Sequence, residues 1–395
     1  MRIVRQLRGE LLQAADGLPI VTVVGPRQAG KTTLVREVFP KRPYRTLEDP
    51  DARAFAVEDP RGFLGGLREG AVLDEVQRVP ELMSYLQGMV DEDPTPGRFI
   101  LTGSQHFLMM ENVSQSLAGR TTVLTLLPLS VRELASAGFT DPGLEPLIQR
   151  GFYPRLYERP LPPYSVLRDY FATYVERDVR QLLKVHDLLA FEGFVRLCAG
   201  RVGQLLNLSS LASDAGISAT TAREWVSLLE ASFVLFRMPP WHANISKRLI
   251  KTPKLYFHDV GLAAYLCGIE EAGQLATHPL RGNFFENLVV GELLKHRFNR
   301  GRDNRLMFFR DRAGHEVDVL FPCGPRMLPV EIKSGRTIQG EWFTGFGKLA
   351  AWSADILDAG MVVYGGNEIQ RRTEGVACGV WQLAKVLEEA VANAG

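Results

Sequence analysis

Gly25-Pro26-Arg27-Gln28-Ala29-Gly30-Lys31-Thr32-Thr33 is the stretch on which the reading of this chain turns. It follows the apolar run Ile20-Val21-Thr22-Val23-Val24 and leads into Leu34-Val35-Arg36-Glu37-Val38. The order is therefore strand, glycine-bounded turn, helix start. The pattern G-x-x-x-x-G-K-T in that setting is a P-loop, or Walker A motif. Backbone N–H groups from Gly25 to Thr33 would cradle phosphate oxygens, and the helix behind them would turn the positive end of its dipole to the same anion. Lys31 would reach the β- and γ-phosphates, and the Thr32 hydroxyl would hold Mg²⁺. ATP and Mg²⁺ are the expected ligands. A glycine turn that binds nothing has no need of Gly-Lys-Thr in register with a strand.

Outward from the loop, Val4 to Ala15 has the spacing of an amphipathic helix, with Leu7, Leu11 and Leu12 on one face. On the other side Tyr44 to Leu47 reads as a second strand, and Glu48-Asp49-Pro50-Asp51 as an acidic turn that is either solvated or set near the nucleotide. Gly70-Ala71-Val72-Leu73-Asp74-Glu75 is an apolar strand ending in two acids, the Walker B arrangement. Asp74 would hold Mg²⁺, and Glu75 would polarise the attacking water as general base. A third strand, Arg98 to Thr102, delivers Gly103-Ser104-Gln105 to its C-terminal end, where open α/β sheets bind ligands. Ser104 or Gln105 would there sense the γ-phosphate, unless they are only a polar strand end. Arg120 precedes the apolar strand Thr121 to Leu127. It is either a solvated charge or an arginine finger offered to a neighbouring subunit's ATP.

Composition narrows the class. A chain of 395 residues exceeds one ordinary core, so two or three domains are expected. A hydrophobic share of 46 % with 23 % charged residues describes a globular protein rather than a disordered one. The formal net charge of +1 means that nucleic-acid contact must come from local patches. No apolar run reaches membrane-spanning length and the first residues lack the apolar core of a signal peptide, so a cytoplasmic protein without membrane contact is expected. Cys198, Cys267, Cys323 and Cys378 are far apart and form no C-x-x-C pair. They read as reduced, partly buried thiols.

The succession of P-loop, Leu73-Asp74-Glu75, Thr102-Gly103-Ser104-Gln105, Leu117-Ala118-Gly119-Arg120 and Leu127-Pro128-Leu129-Ser130 resembles a large group of bacterial and archaeal AAA+ ATPases. The resemblance continues through Tyr174 to Val179, Lys247 to Phe257 and Phe285 to Val289, and so covers nearly the whole chain. It implies an α/β fold in three parts: a P-loop AAA+ core with a parallel sheet over 1–161, a helical lid with a winged helix-turn-helix over 162–281, and an α/β domain resembling PD-(D/E)xK nucleases over 282–395. Where that group often carries Gly-Gly-x-Pro, this chain has Gly151-Phe152-Tyr153-Pro154. Adenine contact by this turn is thus in doubt, and stacking of Phe152 on the base is the alternative.

The middle part is helical in pattern, with one long helix expected from Tyr164 to Leu183; Glu176, Arg177, Asp178 and Arg180 are solvated or paired on its surface, unless Arg177 or Arg180 reaches nucleotide or a neighbouring subunit. Leu208 to Ala215, a turn at Gly216, and Thr220 to Glu230 capped by Ser218 or Thr220 have the shape of a helix-turn-helix. Phe233 to Arg237 and Lys254 to Phe257 would be the strands of a wing. The connection between them brings Lys247, Arg248, Lys251 and Lys254 together without an acid, a set suited to DNA phosphates. Winged helices also serve as protein-binding modules, so the partner stays open.

In the last part a helix (Asn283 to Phe298) is followed by strands at Leu306–Arg310, Glu316–Phe321 and Met327–Ile332, a helix at Glu341–Trp352 and a strand at Met361–Tyr364. Glu286, Asp318, Glu331 and Lys333 fall where the nuclease-like fold places its charged side chains. Glu331 and Lys333, two apart on a strand, share a face that Asp318 on the adjacent strand can meet. By resemblance Asp318 and Glu331 would hold Mg²⁺, Glu286 would support it, and Lys333 would steady the attacking water. The alternative is a salt-bridged scaffold that only grips DNA. Lys295, Arg297, Arg300, Arg302 and Arg305 beside it read as a phosphate-tracking patch. The whole reads as an ATP-hydrolysing machine acting on DNA as a homo-oligomeric ring, six subunits being one option. Two other readings remain, a nucleotide-switched regulator that binds protein partners and an active ATP-dependent endonuclease.

Overall fold

In the computed structural model the run Ile20–Val24 becomes strand β1, buried along its whole length. The structure describes residues 3–104, 116–173, 187–241, 252–311 and 314–394. The other strands of the first sheet are β2 (Tyr44–Thr46), β3 (Ala71–Asp74), β4 (Phe99–Gly103) and β5 (Thr121–Thr125). They lie in the order β2-β3-β4-β1-β5, and every pair is parallel. Continuous apolar runs in β1, β3 and β4 suit such a sheet, because crossover helices cover both of its faces. Leu7 and Leu11 beside the helix Arg8–Gly17 are fully buried against β1, whereas Leu12 is exposed, so the buried stripe is narrower than its leucine count suggests.

The acidic turn is not merely solvated. Asp49 accepts hydrogen bonds from Asp51 N and Ala52 N and caps the helix Pro50–Glu58. Glu48 reaches Arg27 of the P-loop at 3.7 Å and Arg78 at 3.5 Å.

Beyond the core, the helix Pro163–Tyr170 begins the expected long helix, and helical backbone continues to 173. Its remainder, with Glu176, Arg177, Asp178 and Arg180, lies outside the described residues. The helices Leu208–Asp214 and Ala219–Ala231 follow, the second capped by the Ser218 hydroxyl accepting from Thr221 N at 3.0 Å. Strands β6 (Leu235–Met238) and β7 (Lys254–Phe257) pair antiparallel. The C-terminal sheet holds β8 (Met307–Arg310), β9 (Glu316–Cys323), β10 (Arg326–Lys333), β11 (Gly360–Tyr364), β12 (Gln370–Arg372) and β13 (Gly375–Gly379) in the order β12-β13-β11-β10-β9-β8. A helix expected at Glu341–Trp352 is a short 3₁₀ turn, Gly340–Phe343, followed by the helix Thr344–Ala350. The four cysteines are free thiols, with Cys198, Cys323 and Cys378 buried. Among the described residues no helix is long and apolar enough to cross a membrane.

The three parts share one hydrophobic core, which runs from Leu101 through Phe152 and Phe257 to Phe285 and Val330. Polar contacts follow the same path. Glu292, on the helix Arg281–Phe298, accepts from Val131 N at 2.9 Å, and Asp259 accepts from Phe152 N at 2.7 Å. Parts this closely packed do not slide freely past one another, since breaking either contact leaves a buried backbone N–H, of Val131 or Phe152, without its acceptor.

Candidate functional site

The P-loop leaves the C-terminal end of β1 and becomes the helix Lys31–Val38. Gly25 has φ of 147°, and a Cβ there would lie 2.1 Å from Leu126 O, so only glycine fits beside the neighbouring chain. Lys31 is buried, and its Nζ donates to Gly25 O and Pro26 O at 2.9 Å each. Burial lowers its pKa, against the opposing pull of Glu75 and Asp74. The Thr32 hydroxyl lies 3.0 and 3.1 Å from the two Asp74 carboxylate oxygens. The sheet therefore brings the Walker A and Walker B residues together as the spacing predicts.

β4 lies between β1 and β3, and this placement adds residues that the motifs did not reveal. Thr102, at the end of β4, donates its hydroxyl to Asp74 Oδ1. Tyr44, on β2, donates to Asp74 Oδ2 at 2.7 Å, and burial and this bond raise its phenol pKa. Glu75 follows in the left-handed region at φ 57°, a strained setting for a residue with a side chain. Its Oε2 accepts from Ser104 Oγ at 2.8 Å and from Gln77 Nε2 at 2.5 Å. Ser104 is thus in contact with Glu75 itself, and Gln105 lies outside the described residues. Gln77 was missed. A polar residue two places after the second acid was its only signal.

The loop also has a brace at the N-terminus of the chain. Arg5 is buried and donates to Ala29 O of the P-loop at 2.5 Å, to Leu127 O at 2.6 Å and to Glu133 Oε1 at 3.0 Å. Glu133 in turn closes a capping box with Ser130 at the start of the helix Val131–Ser136. An arginine in an amphipathic helical pattern gives no hint of this role.

Arg120 sits at the N-terminal end of β5, whereas the P-loop leaves the C-terminal end of the adjacent β1. The two are a strand length apart, about 15 Å. Arg120 is paired with Asp91 through Nε at 2.5 Å and Nη2 at 2.9 Å on the surface. It lies at the opposite end of the strands from its own P-loop.

Three expectations are corrected by packing. Phe152 cannot stack on a base, because it is buried and the Lys295 ammonium lies 3.7 Å from its ring centroid. Three cations of the basic run beside the C-terminal helix are taken up within the fold, while Arg302 and Arg305 are exposed. Lys295 is buried against Glu292 and Leu129 O, Arg300 is paired with Glu388, and Arg297 donates to Asp303 O. Lys254 is not a DNA contact. It is 4 % exposed and bridges Glu286 Oε1 at 2.9 Å and Glu316 Oε1 at 2.6 Å. The alternation of β7 turns it inward, where its charge is neutralised by acids from another part of the chain. Lys247, Arg248 and Lys251 lie outside the described residues.

In the C-terminal sheet the register sets Val319 opposite Val330, so Asp318 and Glu331 are each one residue beyond that rung. Asp318 Oδ2 accepts from Ile332 N at 2.8 Å, Glu331 accepts from Lys333 Nζ at 2.5 Å, and Glu286 accepts from Tyr256 OH at 2.5 Å and from Lys254. Burial, and then the charge of Asp318, raise the pKa of Glu286 and bring Glu331 up to about 7. Each carboxylate already has a donor of its own, and among the described residues no group of three or more potential ligands is arranged around a metal position.

Residues 18–135 match the family model described as an AAA domain. Residues 142–273 and 281–383 match two domains of unknown function, DUF8612 and DUF4143. Uncharacterised proteins of Mycobacterium tuberculosis and Mycobacterium bovis are each 32 % identical over 335 residues, 84 % of this chain and 74 % of theirs. An uncharacterised protein of Haemophilus influenzae is 25 % identical over 243 residues, 57 % of each chain. Among solved structures, a Walker-type ATPase of Pyrococcus abyssi is 14 % identical, covers 66 % of this chain and 94 % of its own, and superposes with a TM-score of 0.45. AMPPCP-bound DnaA from Aquifex aeolicus is 16 % identical, covers 57 % and 85 %, and gives 0.29.

Proposed function

The chain belongs to one family with the two uncharacterised mycobacterial proteins and carries an AAA domain, and on that premise we propose that it is a Mg²⁺-dependent ATP-driven machine that works on DNA as a ring of like subunits. That it binds and hydrolyses ATP follows from the AAA domain and the assembled P-loop. The observation that carries the reading is the convergence of Lys31, Thr32, Asp74 and Glu75 on one edge of the parallel sheet. Lys31 would turn from the loop carbonyls to the β- and γ-phosphates. Thr32 and Asp74, a hydroxyl and a carboxylate in contact, are the hard oxygen donors that Mg²⁺ requires. When bound, that ion neutralises charge developing on the phosphates. Glu75 would take the proton of the attacking water, and Ser104 and Gln77 hold its carboxylate in place.

Arg120 starts β5 about a strand length from its own P-loop, so as a finger it would serve a neighbour's phosphate. Mixing Arg120→Ala with Lys31→Ala subunits should restore turnover that neither has alone, since one interface in the mixture pairs an intact P-loop with an intact finger. No recovery in mixtures shown by sedimentation to co-assemble would remove the finger. Arg120→Ala should leave stability nearly unchanged, because its ion pair with Asp91 is on the surface.

DNA contact rests on the capped helix pair, the β6–β7 ribbon and the cations Lys247, Arg248 and Lys251 between its strands. With Lys254 buried, three phosphate contacts are the most this segment can supply. Neutralising Lys247, Arg248 and Lys251 together should flatten the dependence of log affinity on log salt by up to about three units. An unchanged slope would move the reading to the nucleotide-switched regulator. That second reading is favoured by the close packing of the core against the C-terminal part, where Glu292 holds Val131 N and Lys295 holds Leu129 O.

A further inference from the structure

Lys254 crosses from the middle part of the chain into the acidic cluster of the C-terminal domain. Its strand, β7, belongs to the middle part of the chain, yet its side chain enters the C-terminal domain and ends between two carboxylates carried by different elements. Glu286 comes from the helix Arg281–Phe298 and Glu316 from the start of β9, at 2.9 and 2.6 Å from Nζ. The ammonium also lies 5.5 Å from the centroid of Phe308 on β8, whose π face favours a cation. Arg310, on the same strand, takes the second oxygen of Glu316 at 3.5 Å. The Tyr256 hydroxyl, two residues along β7, donates to the same Glu286 oxygen as Lys254. Lys333 pairs with Glu331 on the far side of the cluster.

We propose that the acidic cluster of the C-terminal domain carries its own cation, with the Lys254 ammonium in the place of a divalent ion, and that this contact latches the β6–β7 ribbon to the C-terminal sheet. The inference rests on the geometry of the cluster and not on the reading of the protein as a DNA machine. Charge supports it. Burial works against the Lys254 charge, but Glu286, Asp318 and Glu316 outweigh it and raise its pKa, so the lysine remains an ammonium. A divalent ion drawn to Glu286 and Glu316 would meet that ammonium at less than 3 Å from each ligand oxygen, and repulsion at such a distance in a largely buried site excludes joint occupancy. The site is therefore filled by the chain itself, in cis. Its consequence is that Glu286 and Glu316 are taken by the chain's own cation, and that the β6–β7 ribbon moves with this domain.

The test uses the full-length chain without nucleotide. Lys254→Met keeps most of the side chain's length but removes the charge, so the thermal midpoint should fall by roughly 5 °C or more. Adding Glu286→Gln to it should recover at least half of that loss, because the carboxylate left alone is then neutral. In the wild-type chain, Mn²⁺ followed by its free-ion electron paramagnetic resonance signal should show no uptake that depends on Asp318. In Lys254→Met, millimolar Mn²⁺ should raise the midpoint by several degrees, since the acids have regained a vacancy for a cation. Wild-type Mn²⁺ uptake that survives Asp74→Asn and disappears in Asp318→Asn would overturn the proposal. So would a Lys254→Met chain as stable as the wild type. Should Lys254→Met fail to fold, the Lys254→Met/Glu286→Gln chain and the wild-type Mn²⁺ measurement decide the matter by themselves.

Discussion

Glu75→Gln should lower ATP turnover by at least about a hundredfold while leaving nucleotide affinity close to that of the wild type. The amide keeps the size of the side chain and can still accept from Ser104, but it cannot take a proton from water. The ground state should lose little, because on the proposed reading the P-loop and Lys31, not Glu75, would hold the phosphates. Lys31→Ala should do the reverse and weaken binding itself, since its Nζ is the buried cation of the loop. Steady-state turnover together with binding of a fluorescent nucleotide separates the two. Turnover within a few-fold of wild type in Glu75→Gln would take the role of general base from this residue. The left-handed backbone at Glu75 makes the amide the right probe, because it changes the chemistry without changing the residue's shape in a strained position.

The second large effect is expected at a residue that touches no ligand. Arg5→Ala should destabilise the chain by about 3–5 kcal/mol, the usual cost of breaking a buried ion pair from one side. Glu133 would keep its contacts with Ser130 and Gln6 but lose its countercharge, and Ala29 O and Leu127 O would lose their donor. The P-loop would be loosened at Ala29, so the apparent KM for ATP should rise as well. Arg5→Ala combined with Glu133→Gln should recover part of the stability but not the KM, because the amide removes the stranded charge without bracing the loop. Calorimetric midpoints and ATP titrations of the three variants check both halves. An unchanged midpoint in Arg5→Ala would mean that solvent replaces the arginine at no cost, and the brace would then be discarded.

Local signals carried the core of this protein. A P-loop is contiguous, so Gly25 to Thr33 could be recognised whole, and the flanking apolar runs placed it between a strand and a helix. Strands β3 and β4 were legible for the same reason, as unbroken apolar runs ending in Asp74-Glu75 and in Gly103-Ser104. The helix pair of the middle part announced itself by a turn glycine and a serine cap. Side chains that act across the fold left no such trace. Ser104 meets Glu75 only because β3 and β4 are neighbours in the sheet, and Arg5 reaches Ala29 only because the N-terminal segment packs beneath the loop. The sharpest case is lysine. Lys254 and the run from Lys295 to Arg305 look alike in sequence, as basic residues near a candidate site. What a lysine does depends on which carboxylates the fold brings to it and whether water remains around them, and both are properties of tertiary packing. The sequence by itself therefore determined the nucleotide-binding loop, its strand and its metal-type acids, all of which depend on neighbours along the chain. Only the tertiary structure decided which charges are buried and paired, because burial and pairing bring together residues such as Lys254 and Glu286 that lie on different elements.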